Sequence, residues 1–244
     1  MENYNFCPKC GAKKITKRIT FKNLIQEFSN RFLNLDNSLT RTFLHLFSQP
    51  KKVIDGYING LRKRYLNVFS YFAISLTISG LYTFFIKKYK DDILLNSLSS
   101  EKQIEITKMT SDFSFEYQSV ISLLIIPLLA LISRFVFYNY KKYNLTEHFV
   151  IYLYAYSHIT MVVSILTLPF IISFQSIFGV LGIQFVIYIS YIAYVLKKLY
   201  GLSIKKIILK TLLFIVIVLI LLLITSLISG LIMYKTGILS SIEK

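Results

Sequence analysis

Pro50 to Ile86 reads P-K-K-V-I-D-G-Y-I-N-G-L-R-K-R-Y-L-N-V-F-S-Y-F-A-I-S-L-T-I-S-G-L-Y-T-F-F-I. Its first half is basic and amphipathic. Val53, Ile54, Tyr57, Ile58, Leu61 and Tyr65 recur at helical spacing and make one apolar face, flanked by Lys51, Lys52, Arg62, Lys63 and Arg64. Its second half is an apolar run long enough to cross a bilayer. Such a lead-in is expected to lie along the lipid headgroups and hand the chain into the membrane. Lys51, Lys52, Tyr57, Arg62, Lys63, Arg64 and Tyr65 are therefore the candidate residues for binding an anionic headgroup or a partner, with Arg62 and Arg64 as guanidinium forks. Gly56 and Gly60 stand four apart and are expected to let a second helix approach, because a glycine inside a helix costs about 1 kcal/mol.

The whole chain has the same character. Its 244 residues are 55% hydrophobic and carry a formal charge of +16, and the apolar residues are gathered into long runs. That excludes an ordinary soluble domain. The positive charges stand beside the apolar runs, so the expected partner is anionic lipid and not nucleic acid. The first residues, M-E-N-Y-N-F-C-P-K-C, have no apolar core, so the first span is expected to serve as an uncleaved internal signal-anchor.

Five spans are expected, at 66–86, 119–138, 149–172, 174–196 and 207–234. Lysine and arginine crowd the segment before span one, the loop from Arg134 to Lys142 and the loop from Lys197 to Lys206. By the positive-inside rule the N-terminus is cytoplasmic and the C-terminus outside, in the cell inner membrane. The reading is an all-α helical membrane protein. A leader (1–20) with half a zinc-ribbon knuckle is followed by cytoplasmic or interfacial amphipathic helices (21–65) and a membrane domain (66–244).

The knuckle is F-C-P-K-C-G at 6–11. Cys7 and Cys10 place two thiolates on one tight turn, but tetrahedral zinc wants four ligands and no second pair exists. Two readings stand: a degenerate knuckle without metal, or zinc shared between two chains. Phe21, Leu24, Ile25, Phe28 and Phe32 mark one amphipathic helix within 13–33. Leu39, Phe43, Leu46 and Phe47 mark a short one ended by Pro50, with His45 facing away into solvent. Asn144 and Glu147 have capping-box spacing, and Arg134 is placed to snorkel to the headgroups.

Deep in the spans, His158, Gln184, Tyr188 and Tyr191 form the candidate polar cluster. Gln184, Tyr188 and Tyr191 share a helix face, and His158 is expected at similar depth on the antiparallel neighbour. Polar groups in lipid must turn inward. The cluster is either helix–helix glue or a relay for protons or solute through His158.

The C-x-x-C-G start, K-R-I-T-F, the P-x-x-V-I-x-x-Y-I-x-G-x-R-x-x-Y pattern from Pro50 to Tyr65 and E-H-F at a span start resemble a family of bacterial membrane proteins. It is the domain-of-unknown-function family numbered thirty-six sixty-seven. The resemblance covers Phe6 to about His158 and implies a zinc-ribbon-type leader on a multi-pass membrane domain, with no activity attached. Members often open with two C-x-x-C pairs, of which this chain has one.

No nucleophile–base pair, phosphate loop or carboxylate pair stands out, and His148 and His158 do not share a helix face. An enzyme is therefore not expected. The function expected is an interaction or scaffold role at the cytoplasmic membrane face, through anionic lipid, a second copy or another membrane protein. The alternative is a small-solute, ion or lipid transporter using the polar midplane cluster.

Overall fold

The computed structural model describes residues 38–62, 64–97, 101–174 and 177–235. Cys7, Cys10, the helix expected within 13–33 and Lys63 lie outside them. The described residues form helices without strands: α1 (Ser38–Ser48), α2 (Pro50–Ile58), α3 (Val68–Ser97), α4 (Glu101–Glu116), α5 (Gln118–Val136), α6 (Leu145–Phe174), α7 (Ile177–Tyr200) and α8 (Ile204–Lys235). Five are long and apolar enough to cross a membrane, over Val68–Lys87, Gln118–Val136, Leu145–Pro169, Gly182–Tyr200 and Ile204–Leu227. These are the five spans the sequence predicts.

α6 is the axis of the bundle. It packs on α3, α5 and α7, and residues 151–155 and 157–161 are buried. Lipid tails are as apolar as leucine, so helices in a bilayer associate through close packing and polar contacts. The α3–α6 contact shows how. Ser75, Ser79 and Thr83 recur every four residues along α3 and are buried, facing a helix whose buried positions include Ser157, Thr160, Ser164 and Thr167. Small side chains on both helices let the backbones approach. α8 lies at the outside, chiefly against α5 and α7, and shows most of its leucines and isoleucines outward. The Asn144–Glu147 box at the start of α6 forms as expected. Glu147 N–H donates to Asn144 Oδ1 at 2.8 Å, and Asn144 N–H donates to Glu147 Oε2 at 2.7 Å.

α3 begins deeper in the bundle than α6. Tyr154, nine residues into α6, donates its hydroxyl to Leu66 O at 2.7 Å. Nine residues are about 14 Å of helix. The α1–α2 hairpin occupies the space beside that first part of α6, with α1 against α6 and α2 against α6 and α7.

The lead-in therefore differs from the single helix expected over 50–65. Pro50 opens α2 at a position where its missing N–H is no loss. The helix ends at Ile58. Asn59 N–H returns to Asp55 O, and Gly60 follows at φ +93°, a conformation that residues with a side chain rarely adopt. A Cβ at Gly60 would meet nothing within 4 Å, and one at Gly56 would meet only Leu61. Gly60 is thus there for the turn, and neither glycine receives another helix. Beyond the turn the predicted stripe splits. Leu61 is exposed, whereas Tyr65 folds back into the core. Val53 and Ile54 are 0% exposed against the bundle, so the apolar face of α2 lies on protein and not on lipid.

Candidate functional site

Residues 38–66 are fastened to three spans. α1 presents Phe43 and Phe47 to the imidazole of His158, with ring centroids at 4.8 and 4.3 Å. Tyr191 closes the same box at 5.2 Å, and the Tyr71 hydroxyl is hydrogen-bonded to His158 Nδ1 at 2.7 Å. At the end of α1, His45 O accepts the Gln49 amide, and α7 supplies donors to the next two carbonyls. Tyr191 donates to Leu46 O at 3.1 Å, and Tyr194 donates to Phe47 O at 2.8 Å. Thr42 Oγ1 accepts the Leu66 amide at 2.9 Å, which ties α1 to the start of α3. His45, expected in solvent, has its Nδ1 at 2.9 Å from the Tyr65 hydroxyl. α2 is tied by Asp55, whose carboxylate accepts from Tyr143 at 2.6 Å and lies 3.9 Å from Lys142. Burial, and then that carboxylate, raise the Tyr143 hydroxyl above its ordinary range, which keeps it a proton donor.

The four residues expected to form one polar cluster divide among three levels. His158 faces inward and meets Tyr191 and Tyr71, but not Gln184. Tyr188 donates to Thr160 Oγ1 at 2.9 Å. Farther along, Gln184 Nε2 donates to Tyr82 Oη at 2.9 Å and Thr167 Oγ1 at 3.1 Å. His158 and Thr167 are nine residues apart on one helix, so these groups span about 14 Å. The reason is the register of α6 on α7: the two helices run antiparallel with His158 beside Tyr191, Thr160 beside Tyr188 and Thr167 beside Gln184, so Gln184 faces a point nine residues along α6 from His158.

The basic candidates divide as well. Lys51, Lys52 and Lys198 border an open cleft of about 470 Å³, together with Ser48, Gln49, Pro50 and Asp55. Arg62 and Arg64 are exposed, but their guanidinium groups lie over the rings of Tyr57 and Tyr65, at 5.5 and 5.7 Å. They cover aromatic faces instead of standing as free forks. Lys198 is new to the set. It comes from the far end of α7, and no spacing within 50–65 could reveal it.

The class these elements define is an integral membrane protein of five spans with a helical hairpin docked at one end. A family model described as a protein of unknown function (DUF3667) matches residues 36–80. The matched segment covers α1, α2, the Gly60 turn and the first part of α3, which is the docked unit and its anchor. No curated protein and no solved structure matches the chain.

Proposed function

We propose that this protein is a membrane scaffold whose docked hairpin presents a basic cleft to an acidic surface at the cytoplasmic face. The observation that carries this reading is the contrast across α2. Val53 and Ile54 are buried against the bundle, while Lys51 and Lys52 face outward and meet Lys198 around one opening. A hairpin fixed to three spans holds that charge pattern in a single geometry, which suits recognition better than a free tail does. The orientation is supported by charge. Arg62, Arg64, Lys141, Lys142, Lys197, Lys198, Lys205 and Lys206 all lie next to the hairpin or at the helix ends that surround it. A reporter fused at Gly201, between α7 and α8, should therefore be active inside the cell. Activity there only on the outer side overturns the orientation.

The role is tested by purifying the intact protein in mild detergent beside a Lys51→Glu/Lys52→Glu/Lys198→Glu variant. The expected result is a stoichiometric protein partner or anionic lipid that is lost from the variant while the fold is kept. An unchanged set of bound molecules contradicts the role of the cleft. A co-purifying solute that depends on Gln184 and not on the lysines would point to transport instead.

A further inference from the structure

The charges of the bundle stop at one level. No charged residue occurs in α3 from Val68 to Ile86, in α5 before Arg134, in α6 after Glu147, in α7 before Lys197 or in α8 from Thr211 to Tyr234. Side-chain contacts place these limits against α6. Arg64 precedes Leu66, whose carbonyl accepts from Tyr154 at 2.7 Å. Lys197 lies between Tyr200, whose hydroxyl is 2.8 Å from His148 Nε2, and Tyr191, whose ring is 5.2 Å from that of His158. Lys210 Nζ donates to Val136 O at 2.6 Å, and the next residue, Phe137, stacks on Tyr200 at 4.7 Å. Arg134 is one turn from Phe137 on α5. The innermost charges of α5, α7, α8 and the segment before α3 therefore stand level with His148 to Tyr154 on α6. Past Tyr154, α6 runs on for twenty residues to Phe174, about 30 Å, which is the thickness of a hydrocarbon core.

α1 lies on the uncharged side of this limit. Phe43 and Phe47 meet His158, four residues past Tyr154 and so about 6 Å farther in. Its last carbonyls are held by Tyr191 and Tyr194, which precede Lys197 on α7. Arg41 is its only lysine or arginine, and is exposed and long enough to snorkel outward. The outer side of α1 is nonetheless apolar: Leu44 is 56% exposed and Phe47, one turn on, is 42% exposed. Phe69, in the first turn of α3, is 60% exposed at the same end, where Thr42 Oγ1 holds the Leu66 amide. The exposed side of α1 thus shares its depth with the lipid-facing surface of the spans.

We propose that α1 is embedded in the bilayer, at the boundary of headgroups and acyl chains, with Leu44 and the outer edge of Phe47 against the acyl chains. An amphipathic helix seated about 5–10 Å into that boundary is a stable arrangement. α1 fills the space beside α6 that α3, starting later, leaves open, and so keeps lipid from the imidazole of His158. The helix that meets lipid is then α1 and not α2. Lys52 and the first nine residues of α6 stand outside the hydrocarbon. The proposal concerns the position of the bilayer and holds whatever the lysine cleft binds.

The test places an environment-sensitive fluorophore on single cysteines of the full chain, reconstituted in vesicles of phosphatidylcholine and phosphatidylglycerol. Leu44→Cys, Lys52→Cys and Leu145→Cys are made together with Cys7→Ser and Cys10→Ser. All three labelled positions are exposed, so each protein should keep the wild-type unfolding midpoint. The fluorophore at 44 should emit at shorter wavelength than the others, and be quenched by phosphatidylcholine carrying a nitroxide at the top of its acyl chain. Its quenching by aqueous iodide should be several-fold weaker than at 52 or 145. Iodide quenching at 44 as strong as at 52, or at 145 as weak as at 44, overturns the proposal. So does a fluorophore at 44 shielded from both quenchers, since a second copy or another segment of the chain then covers Leu44.

Discussion

His158→Ala should destabilise the protein by about 3 kcal/mol, counting the cavity it leaves and the lost hydrogen bond. The imidazole is 0% exposed and is surrounded by Phe43, Phe47, Tyr71 and Tyr191, so its removal empties a space walled by rings from α1, α3 and α7. It also strands the Tyr71 hydroxyl, which lies 2.7 Å from Nδ1. His158→Phe keeps most of the ring contacts and loses only that bond, so about 1–2 kcal/mol is expected. Thermal unfolding in detergent ranks the two. If Phe proves as damaging as Ala, the polar bond dominates and the aromatic box contributes little. A relay through His158 would instead show as lost flux in a His158→Phe protein of near-normal stability.

Val53→Asp should release the hairpin. Val53 is 0% exposed against the bundle, and a carboxylate there is buried without a counter-charge, at a cost of about 3–5 kcal/mol. The spans can remain assembled while residues 38–66 come away, because the loss is local. Trypsin cleavage around Arg62 and Arg64 should then quicken by about two orders of magnitude. Lys52→Asp, one residue away on the exposed side, should change stability by less than about 0.5 kcal/mol. A helix lying on headgroups predicts the reverse emphasis, with charge reversal at Lys52 felt most. Comparable cleavage of the two variants would contradict docking on protein.

The five spans were legible because a bilayer imposes length and hydropathy on each segment independently of its neighbours. The capping box was legible for the same kind of reason: Asn144 and Glu147 need only each other. The hairpin was half legible. The stripe of Val53, Ile54, Tyr57 and Ile58 was read correctly as one face, but periodicity does not say whether a face meets lipid or protein. Gly60 was read as part of a helix because its spacing from Gly56 imitates one. Its φ of +93° shows a turn that resets the register, so Leu61 and Tyr65 part company.

The polar residues failed for a different reason. His158 and Gln184 come to one level only when depth is counted from each expected span start, whereas α6 and α7 pack antiparallel in a register that sets Gln184 against Thr167 and His158 against Tyr191. That register is a property of the two helices together and appears in neither segment alone. His45 was misread because its partner, Tyr65, lies twenty residues on and beyond a turn that the sequence pattern concealed.

The central claim is that the hairpin is part of the membrane fold, held by the contact between α1 and α6. A double-mutant cycle on Phe47→Ala and His158→Ala, read by reversible unfolding in detergent, tests it most directly. The ring centroids are 4.3 Å apart. The account predicts a coupling energy of about 0.5–1.5 kcal/mol between the two positions. Strict additivity of the two substitutions would contradict it.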